Sequence, residues 1–119
     1  MWHIGIDLHW RTVVMSAVND SGEVVSPVTI ECRNTKAILN FLEPLKPFRA
    51  AVESTATDRW FYKLLSEEGT ILLAHPAKLR LIIQRRVKTD RLDCLLLANL
   101  LRINQIPLSY ITPQMIFSN

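Results

Sequence analysis

Four acidic residues stand at points in the sequence where their carboxylates could meet around a metal ion. Asp7 and Glu53 each close an apolar run that is typical of a buried strand. Asp90 and Asp93 lie at the start of a leucine-rich stretch that is typical of a helix. Ligands of open α/β sheets bind beyond the carboxyl ends of the strands, so we expect the four acids to converge there. Because clustered carboxylates repel one another unless a cation lies between them, the pattern predicts a divalent-metal site suited to phosphate chemistry.

A cluster of basic residues lies next to the second pair of acids. Six of the 14 lysines and arginines fall between positions 78 and 91. They are Lys78, Arg80, Arg85, Arg86, Lys88 and Arg91. A solvated helix face is one explanation, but the position beside Asp90 and Asp93 favours a polyanionic partner. We therefore expect nucleic-acid binding, with Arg85, Arg86 and Lys88 as the best candidates for contacts to backbone phosphates.

Length and composition restrict the class of protein. With 119 residues, 49% hydrophobic and 21% charged, the chain is expected to form one globular domain. No apolar run approaches the ~20 residues of a membrane-spanning helix, and the N-terminus lacks the segments of a signal peptide. We therefore expect a cytoplasmic protein without a membrane partner. Cys32 and Cys94 lack CxxC spacing, so neither a disulfide framework nor a zinc site is predicted.

The first part of the chain is predicted to form an antiparallel meander. Strands are expected over 2–8, over about 12–18 and from 23 to about 31, with a turn at 19–22. Pro27 would interrupt a ladder in the centre of a sheet. The third strand is therefore predicted to lie at an edge.

Helices and strands alternate in the rest of the chain. The predicted order is a helix capped by Asn34, a strand over 48–53, a helix capped by Asp58 and ended by Gly69, a strand over 70–74, a helix after His75-Pro76 to about Gln84, and a last helix from about Thr89 to Ile103. Because the fourth strand follows a helical crossover, it should lie parallel to the first. The predicted fold is α/β, a mixed five-stranded sheet whose first three strands are antiparallel, with helices on both faces. This arrangement resembles ribonuclease H, whose active site lies at the ends of strands one and four.

The last predicted helix connects the second pair of acids to the sheet. At 100° per residue, Asp90, Asp93, Leu97 and Leu101 fall on one stripe. Packing this stripe on the sheet would bring both acids to the two strand-end carboxylates. A second apolar stripe, which includes Leu96, requires cover from the preceding helix or from another subunit or domain.

Several other side chains are given structural roles. His9 is expected to begin a tight turn, with a contact to phosphate or metal-bound water as the alternative. His75 and Ser54 are expected to be structural, and Trp60 to pack in the core rather than stack on a base. Cys94 is expected to fill space as a small buried residue.

Three segments resemble the DEDD transposases of the insertion-sequence-110 type, which are related to pilin-gene invertases. They are Ile4-Gly5-Ile6-Asp7-Leu8-His9, Val52-Glu53-Ser54-Thr55, and Lys88-Thr89-Asp90-Arg91-Leu92-Asp93 followed by Leu97-Ala98. The likeness covers nearly the whole chain, and the Lys-Thr-Asp-Arg-x-Asp string is its most specific part. It implies a domain like that of the Holliday-junction resolvase RuvC over residues 1–113, with 114–119 as a C-terminal tail.

The resemblance implies a recombinase that acts on DNA phosphodiesters. Asp7, Glu53, Asp90 and Asp93 would be the catalytic residues and would bind Mg²⁺ or Mn²⁺. The full-length protein would be a homo-oligomer, a dimer or a tetramer, associated with a structured guide RNA. Family members are considerably longer and carry a nucleophilic serine in a C-terminal domain, so we expect this chain to be a fragment that is inactive in recombination alone.

Three other functions remain open at this point. A stand-alone Holliday-junction-type nuclease would cleave branched DNA with these 119 residues alone. A non-catalytic nucleic-acid-binding module with a structural metal would bind in a salt-sensitive manner, without cleavage, even after Asp90→Asn. A sugar-kinase or actin-like ATP-binding half shares the segment that ends at Asp7, but it needs a glycine-rich phosphate loop where this chain has His9-Trp10-Arg11.

Overall fold

The computed structural model describes residues 1–53, 59–87 and 93–109, with only the backbone described at 86 and 87. The elements are β1 Trp2–Leu8, β2 Thr12–Asn19, β3 Val24–Glu31, α1 Thr35–Leu42, β4 Phe48–Glu53, α2 Arg59–Ser66, β5 Thr70–Ala74, α3 Pro76–Ile82 and α4 Cys94–Arg102. A 3₁₀ turn over Glu43–Leu45 follows α1, and a π-helical turn over Ile83–Val87 extends α3. The observed strands begin and end within one residue of the predicted limits.

The five strands form one mixed sheet in the order β3-β2-β1-β4-β5. β1 and β2 are antiparallel, as are β2 and β3, whereas β1 pairs with β4 and β4 with β5 in parallel. Pro27 therefore lies on an edge strand, and it falls at an irregularity of the β2–β3 register, between Val25 and Val28, where it has no paired residue on β2. This sheet confirms the predicted ribonuclease H-like topology.

Helices cover both faces of the sheet. Ala50 and Val52 of β4 belong to one hydrophobic cluster, which they share with α1 and α2, whereas Ala51 belongs to a second cluster, with α3 and α4. Because successive side chains of a strand point to opposite faces, the two clusters lie on opposite sides of the sheet. Among the described helices, none has both the length and the apolar character that crossing a bilayer requires.

Gly5 allows α4 to lie directly on β1. A Cβ atom at Gly5 would be 1.8 Å from the carbonyl oxygen of Cys94 and 2.6 Å from the amide nitrogen of Ala98. At the C-terminal end of α4, the Leu101 carbonyl accepts a hydrogen bond of 2.8 Å from Arg49, near the start of β4. The N-terminal end of α4 therefore lies towards the carboxyl ends of β1 and β4.

A polar network holds the start of β1 to its neighbours. The buried His3 donates from Nε2 to Asp20 Oδ1 at 2.6 Å, and its Nδ1 accepts from Arg49 Nε at 3.0 Å. Arg49 also donates to Asn104 Oδ1 at 2.7 Å. The hydrogen bond from His3 holds the pKa of Asp20 below its ordinary value of 3.8. The network fixes the C-terminal end of α4, at the opposite edge of the sheet from the strand-end acids.

Two predicted structural residues act as helix caps. The side chain of Asn34 accepts from the amide of Ala37 at 3.1 Å, as predicted for α1. His75 Nδ1 accepts from the amide of Lys78 at 3.3 Å, which caps α3 and confirms the structural role of His75. The predicted cap Asp58 lies outside the described residues, as does Ser54.

The prediction that Trp60 packs in the core is wrong. Its side chain is 36% exposed, and its ring meets the ring of Phe61 edge-on at a centroid distance of 5.4 Å. α2 buries Phe61, Tyr62 and Leu65 instead. The rotation of a helix about its axis is set by the surface on which it packs, so a sequence pattern with adjacent aromatic residues does not fix it.

The second apolar stripe of α4 is partly covered. Leu96 is half-buried and packs against the cluster that contains Leu79 and Ile83 of the preceding helical segment. Ile103, just beyond the helix, is 56% exposed. The preceding helical segment therefore covers the middle of the stripe, as one of the two alternatives predicted.

Candidate active site

Parallel pairing of β1 with β4 brings Asp7 and Glu53 to the same edge of the sheet. The last aligned pair of these strands is Ile6 with Val52, so each acid is the next residue of its strand. Both acids are half-buried. β1 and β4 are central strands, held by neighbours on both sides, so the two carboxylates project from the most constrained part of the sheet.

Asp93 reaches the same edge from α4, but not as a helical residue. Its backbone is extended (φ −123°, ψ 168°), and its Oδ1 accepts a hydrogen bond of 2.7 Å from the amide of Leu96. The prediction that the helix already includes Asp93 is therefore wrong. The side chain of Asp93 instead caps a helix that begins at Cys94. Residues 89–92 lie outside the described residues. The cap engages Oδ1, so Oδ2 remains for another partner.

A cavity of about 250 Å³ lies between these acids. Its lining residues are Ile6, Asp7, Leu8, His9, Glu53, Asp93, Cys94 and Leu97. Pockets for small organic ligands usually hold about 300–1,000 Å³. The smaller volume suits an ion with its water ligands. Three of the four predicted acids thus line one cavity, and the fourth, Asp90, lies outside the described residues.

Cys94 lies at the base of this cavity and is only 2% exposed, as predicted for a small buried residue. Burial raises the pKa of its thiol, and the negative charges of Asp93 and Asp7 raise the pKa further. The thiol therefore stays neutral at physiological pH. Because only the thiolate is a good nucleophile or metal ligand, Cys94 fills space beside the carboxylates.

His9 closes the cavity at the turn after β1. Its amide donates to the carbonyl of Thr12 at 2.8 Å, which confirms the predicted turn, and its Nε2 lies 2.9 Å from Asp7 Oδ2. The imidazole is thus placed to orient the Asp7 carboxylate. Oδ1 of Asp7 is left to face another partner.

The donor set has the chemistry of a site for a hard divalent cation. Asp7, Glu53 and Asp93 supply carboxylate oxygens, which Mg²⁺ prefers as ligands. Within residues 1–53, 59–87 and 93–109, however, no three or more His, Cys, Asp or Glu side chains are grouped closely enough to hold a metal ion. The described acids fit part of such a site, and the remaining predicted ligand is Asp90.

Comparison of the sequence with known families identifies the class of protein. Residues 4–116 match the family of DEDD transposases of the insertion-sequence-110 type, described as a transposase. The chain belongs to this DEDD transposase family. A search of curated proteins finds no match to this chain. Transposases of this family act on DNA and generally use divalent metal ions, and membership excludes the sugar-kinase or actin-like alternative.

The predicted nucleic-acid-binding residues of this DEDD transposase are described only in part. Lys78 and Arg80 lie on α3, and Arg85 lies on the π-helical turn that extends it. All three side chains are exposed on the sheet face that α4 also covers. The side chain of Arg86 and the whole of Lys88 and Arg91 lie outside what the structure describes.

The sequence-based reasoning missed one feature of the transposase chain. The sequence pattern marks Trp10 and Arg11 only as bulky residues that a phosphate loop would not tolerate, yet both side chains are exposed next to His9. The available signal was an aromatic residue at the tip of a predicted hairpin.

Proposed function

We propose that this DEDD transposase chain carries the metal-dependent centre that cuts and rejoins DNA phosphodiesters. The proposed catalytic and metal-binding residues are Asp7, Glu53, Asp90 and Asp93. The observation that carries the proposal is the convergence of Asp7, Glu53 and Asp93 on one cavity at the carboxyl ends of β1 and β4. Mg²⁺ or Mn²⁺ bound there would neutralise charge that develops on the attacking and leaving oxygens at phosphorus.

The fold holds the proposed metal-binding carboxylates in place. Asp7 and Glu53 are held by central strands, and Asp93 is held by the cap of α4, so three carboxylates are fixed by three different elements. Carboxylates whose backbones are already fixed lose less freedom when an ion draws their side chains together. His9 acts as a positioning residue, since its contact with Oδ2 fixes the orientation of the Asp7 carboxylate.

The partners of the site are proposed as follows. Residues 1–113 form the metal-binding domain, and DNA backbone phosphates contact its basic cluster. The cluster consists of Lys78, Arg80, Arg85, Arg86, Lys88 and Arg91. From the family resemblance we also propose a structured guide RNA, a dimer or tetramer for the full-length protein, and action in the cytoplasm.

Titration with Mn²⁺ tests the metal site directly. Free Mn²⁺ is measured by electron paramagnetic resonance, with and without a DNA duplex, for the wild type and for Asp7→Asn. Loss of one carboxylate ligand should weaken binding by about tenfold or more, since even outer partners of a metal site are worth 10–100-fold. Glu67→Gln removes the same charge from an exposed turn after α2 and should leave the affinity unchanged.

Two results would contradict the proposal. One is an Asp7→Asn variant that binds Mn²⁺ as tightly as the Glu67→Gln variant does. The other is a wild type that binds no Mn²⁺ under either condition. If metal and DNA bind but Asp90→Asn affects neither, the non-catalytic module becomes the better explanation. Cleavage of four-way DNA junctions by the 119-residue chain alone would instead favour the stand-alone nuclease.

A further inference from the structure

The loop between β1 and β2 presents an aromatic ring to solvent. Trp10 is 92% exposed, more than any other large hydrophobic side chain in the described part of the chain. A tryptophan ring normally buries much of its 150–250 Å² in a core or an interface. Trp10 therefore contributes little to the stability of this fold through burial, and its position requires another explanation.

The backbone on both sides of Trp10 is fixed. The amide of His9 donates to the carbonyl of Thr12 at 2.8 Å, and the amide of Cys32 donates to the carbonyl of Arg11 at 2.8 Å. The thiol of Cys32 also lies 3.7 Å from the carbonyl oxygen of His9. The loop is thus held to the first residue of β2 and to the residue after β3. Trp10 is carried outward by a loop with a defined conformation.

A groove of about 560 Å³ lies beside the ring. Its lining residues are Trp10, Arg11, Thr12, Glu31, Cys32 and Arg33. Arg33 forms an ion pair of 2.9 Å with Glu31, whereas the guanidinium of Arg11 has no hydrogen bond or ion pair with any residue that the structure describes. An exposed aromatic face beside an available cation is the combination with which proteins bind single-stranded nucleic acid.

The groove adjoins the candidate active site. His9 lines the acidic cavity and Trp10, the next residue, lines the groove. Adjacent Cα atoms are only 3.8 Å apart. A DNA strand with a phosphate at the acids would therefore pass within reach of the Trp10 ring and the Arg11 guanidinium.

We propose that Trp10 and Arg11 form a subsite for an unpaired base of the DNA strand that enters the acidic cavity. The indole ring stacks on the base, and the guanidinium contacts a neighbouring phosphate. Stacking of this kind tolerates any base, because every base has a π-face. The inference rests on the proposed function, since the acids mark where the strand is cut. DNA is chosen because His9, which lines the acidic cavity, directly precedes Trp10, which lines the groove.

Binding of a labelled single-stranded DNA, measured by fluorescence anisotropy with Ca²⁺ in place of Mg²⁺, tests the subsite. Trp10→Ala should weaken binding by about 5- to 150-fold, the range expected when one base loses its aromatic platform. Trp10→Phe should retain most of the affinity. Ile103→Ala removes another exposed apolar side chain, at the far end of α4, and should change nothing.

Abasic substitutions locate the base. One abasic position in the DNA should weaken binding to the wild type and have no effect on Trp10→Ala. The inference is overturned if Trp10→Ala binds DNA as tightly as the wild type, or if the loss occurs only with RNA of the same sequence. Mn²⁺ affinity separates the two proposals. Trp10→Ala should bind Mn²⁺ as tightly as the wild type. A wild type that binds Mn²⁺ weakly would contradict the proposed function, whereas a loss of DNA affinity in Trp10→Ala would still support the stacking subsite.

Discussion

Asp93 has two roles at the residue scale, and substitutions can separate them. Its Oδ1 caps α4 through the amide of Leu96, and its charge lies at the positive end of the helix dipole. As a proposed metal ligand it must also remain an anion beside Asp7. The first role needs a short side chain with an acceptor oxygen, whereas the second needs a carboxylate.

Asp93→Asn should therefore keep the fold and weaken metal binding. Asparagine ranks with aspartate as a helix cap, so the free energy of unfolding should change by only a few tenths of a kcal/mol. Asp93→Ala should cost about 0.5–2 kcal/mol of that free energy. Both variants should bind Mn²⁺ about tenfold or more weakly. Denaturant unfolding and Mn²⁺ titration check the two effects, and full Mn²⁺ affinity in Asp93→Asn would mean that Asp93 is only a cap.

At the same scale, the sequence indicated the site through one rule, the convergence of strand ends. That rule places Asp7 and Glu53 together, and their pairing register agrees with it. Helical periodicity placed Asp93 inside a helix, because the pattern of apolar residues cannot show that a carboxylate has bonded to the backbone and ended the helix. Trp10 lies in a loop, where no periodicity exists to interpret.

At the scale of elements, the contact between α4 and β1 positions the candidate site. The helix approaches so closely at Gly5 that its backbone occupies the space of a side chain. Asp93 lines the same cavity as Asp7 because the helix runs across β1 with its first residue towards the carboxyl end of the strand. The position of Asp93 therefore depends on the absence of a Cβ atom at Gly5, two residues before Asp7.

Gly5→Ala should displace α4 and weaken the metal site together. The new Cβ would meet the carbonyl oxygen of Cys94, a backbone atom that no rotamer change can move. Overpacking usually costs about 1–3 kcal/mol, and we expect the upper end of this range. Thermal unfolding should show the loss, and Mn²⁺ titration should show reduced affinity.

Gly69→Ala is the matched control. Its Cβ would lie 2.6 Å from the ring of Phe48, at the opposite end of β4 from Glu53. It should lower the melting temperature and leave Mn²⁺ affinity intact. A Gly5→Ala protein as stable as the wild type would show that α4 does not pack on β1 as described.

The elements themselves follow closely from the sequence. Turn residues and Pro27 gave the strand limits and the edge position, because these signals act through local backbone geometry. The exposure of Trp60 did not follow, since it depends on which side of α2 meets the sheet. The π-helical turn after α3 has no signal in the apolar pattern that we can identify.

At the scale of the whole molecule, a group of exposed cations and the group of cavity acids lie on different elements. The sequence carries 14 basic and 11 acidic residues, and three of the acids surround the cavity at the carboxyl edge of the sheet. Lys78, Arg80 and Arg85 are exposed on α3 and its extension, on the face shared with α4. A DNA backbone lying across this face would release counterions in proportion to the phosphates that it pairs with cations.

The salt dependence of DNA binding measures this contribution. For a DNA duplex, each phosphate contact adds about 0.9 to the slope of log affinity against log salt concentration. A double variant, Arg80→Ala with Arg85→Ala, should therefore lower the slope by up to about 1.8 and weaken binding most at low salt. Mn²⁺ affinity should stay unchanged, because neither arginine lines the acidic cavity.

Lys36→Ala with Lys63→Ala removes the same charge from α1 and α2, on the opposite face of the sheet. If DNA binds across α3, this control should keep nearly the full salt slope of DNA binding. Its two lysines are separated from α3 by the thickness of the sheet and a helix layer, and charges farther apart than the Debye length of about 8–10 Å are largely screened. Equal losses in the two double variants would mean that net charge alone attracts DNA. The basic cluster would then not determine where DNA binds, and the DNA would have no defined path from α3 to the acids.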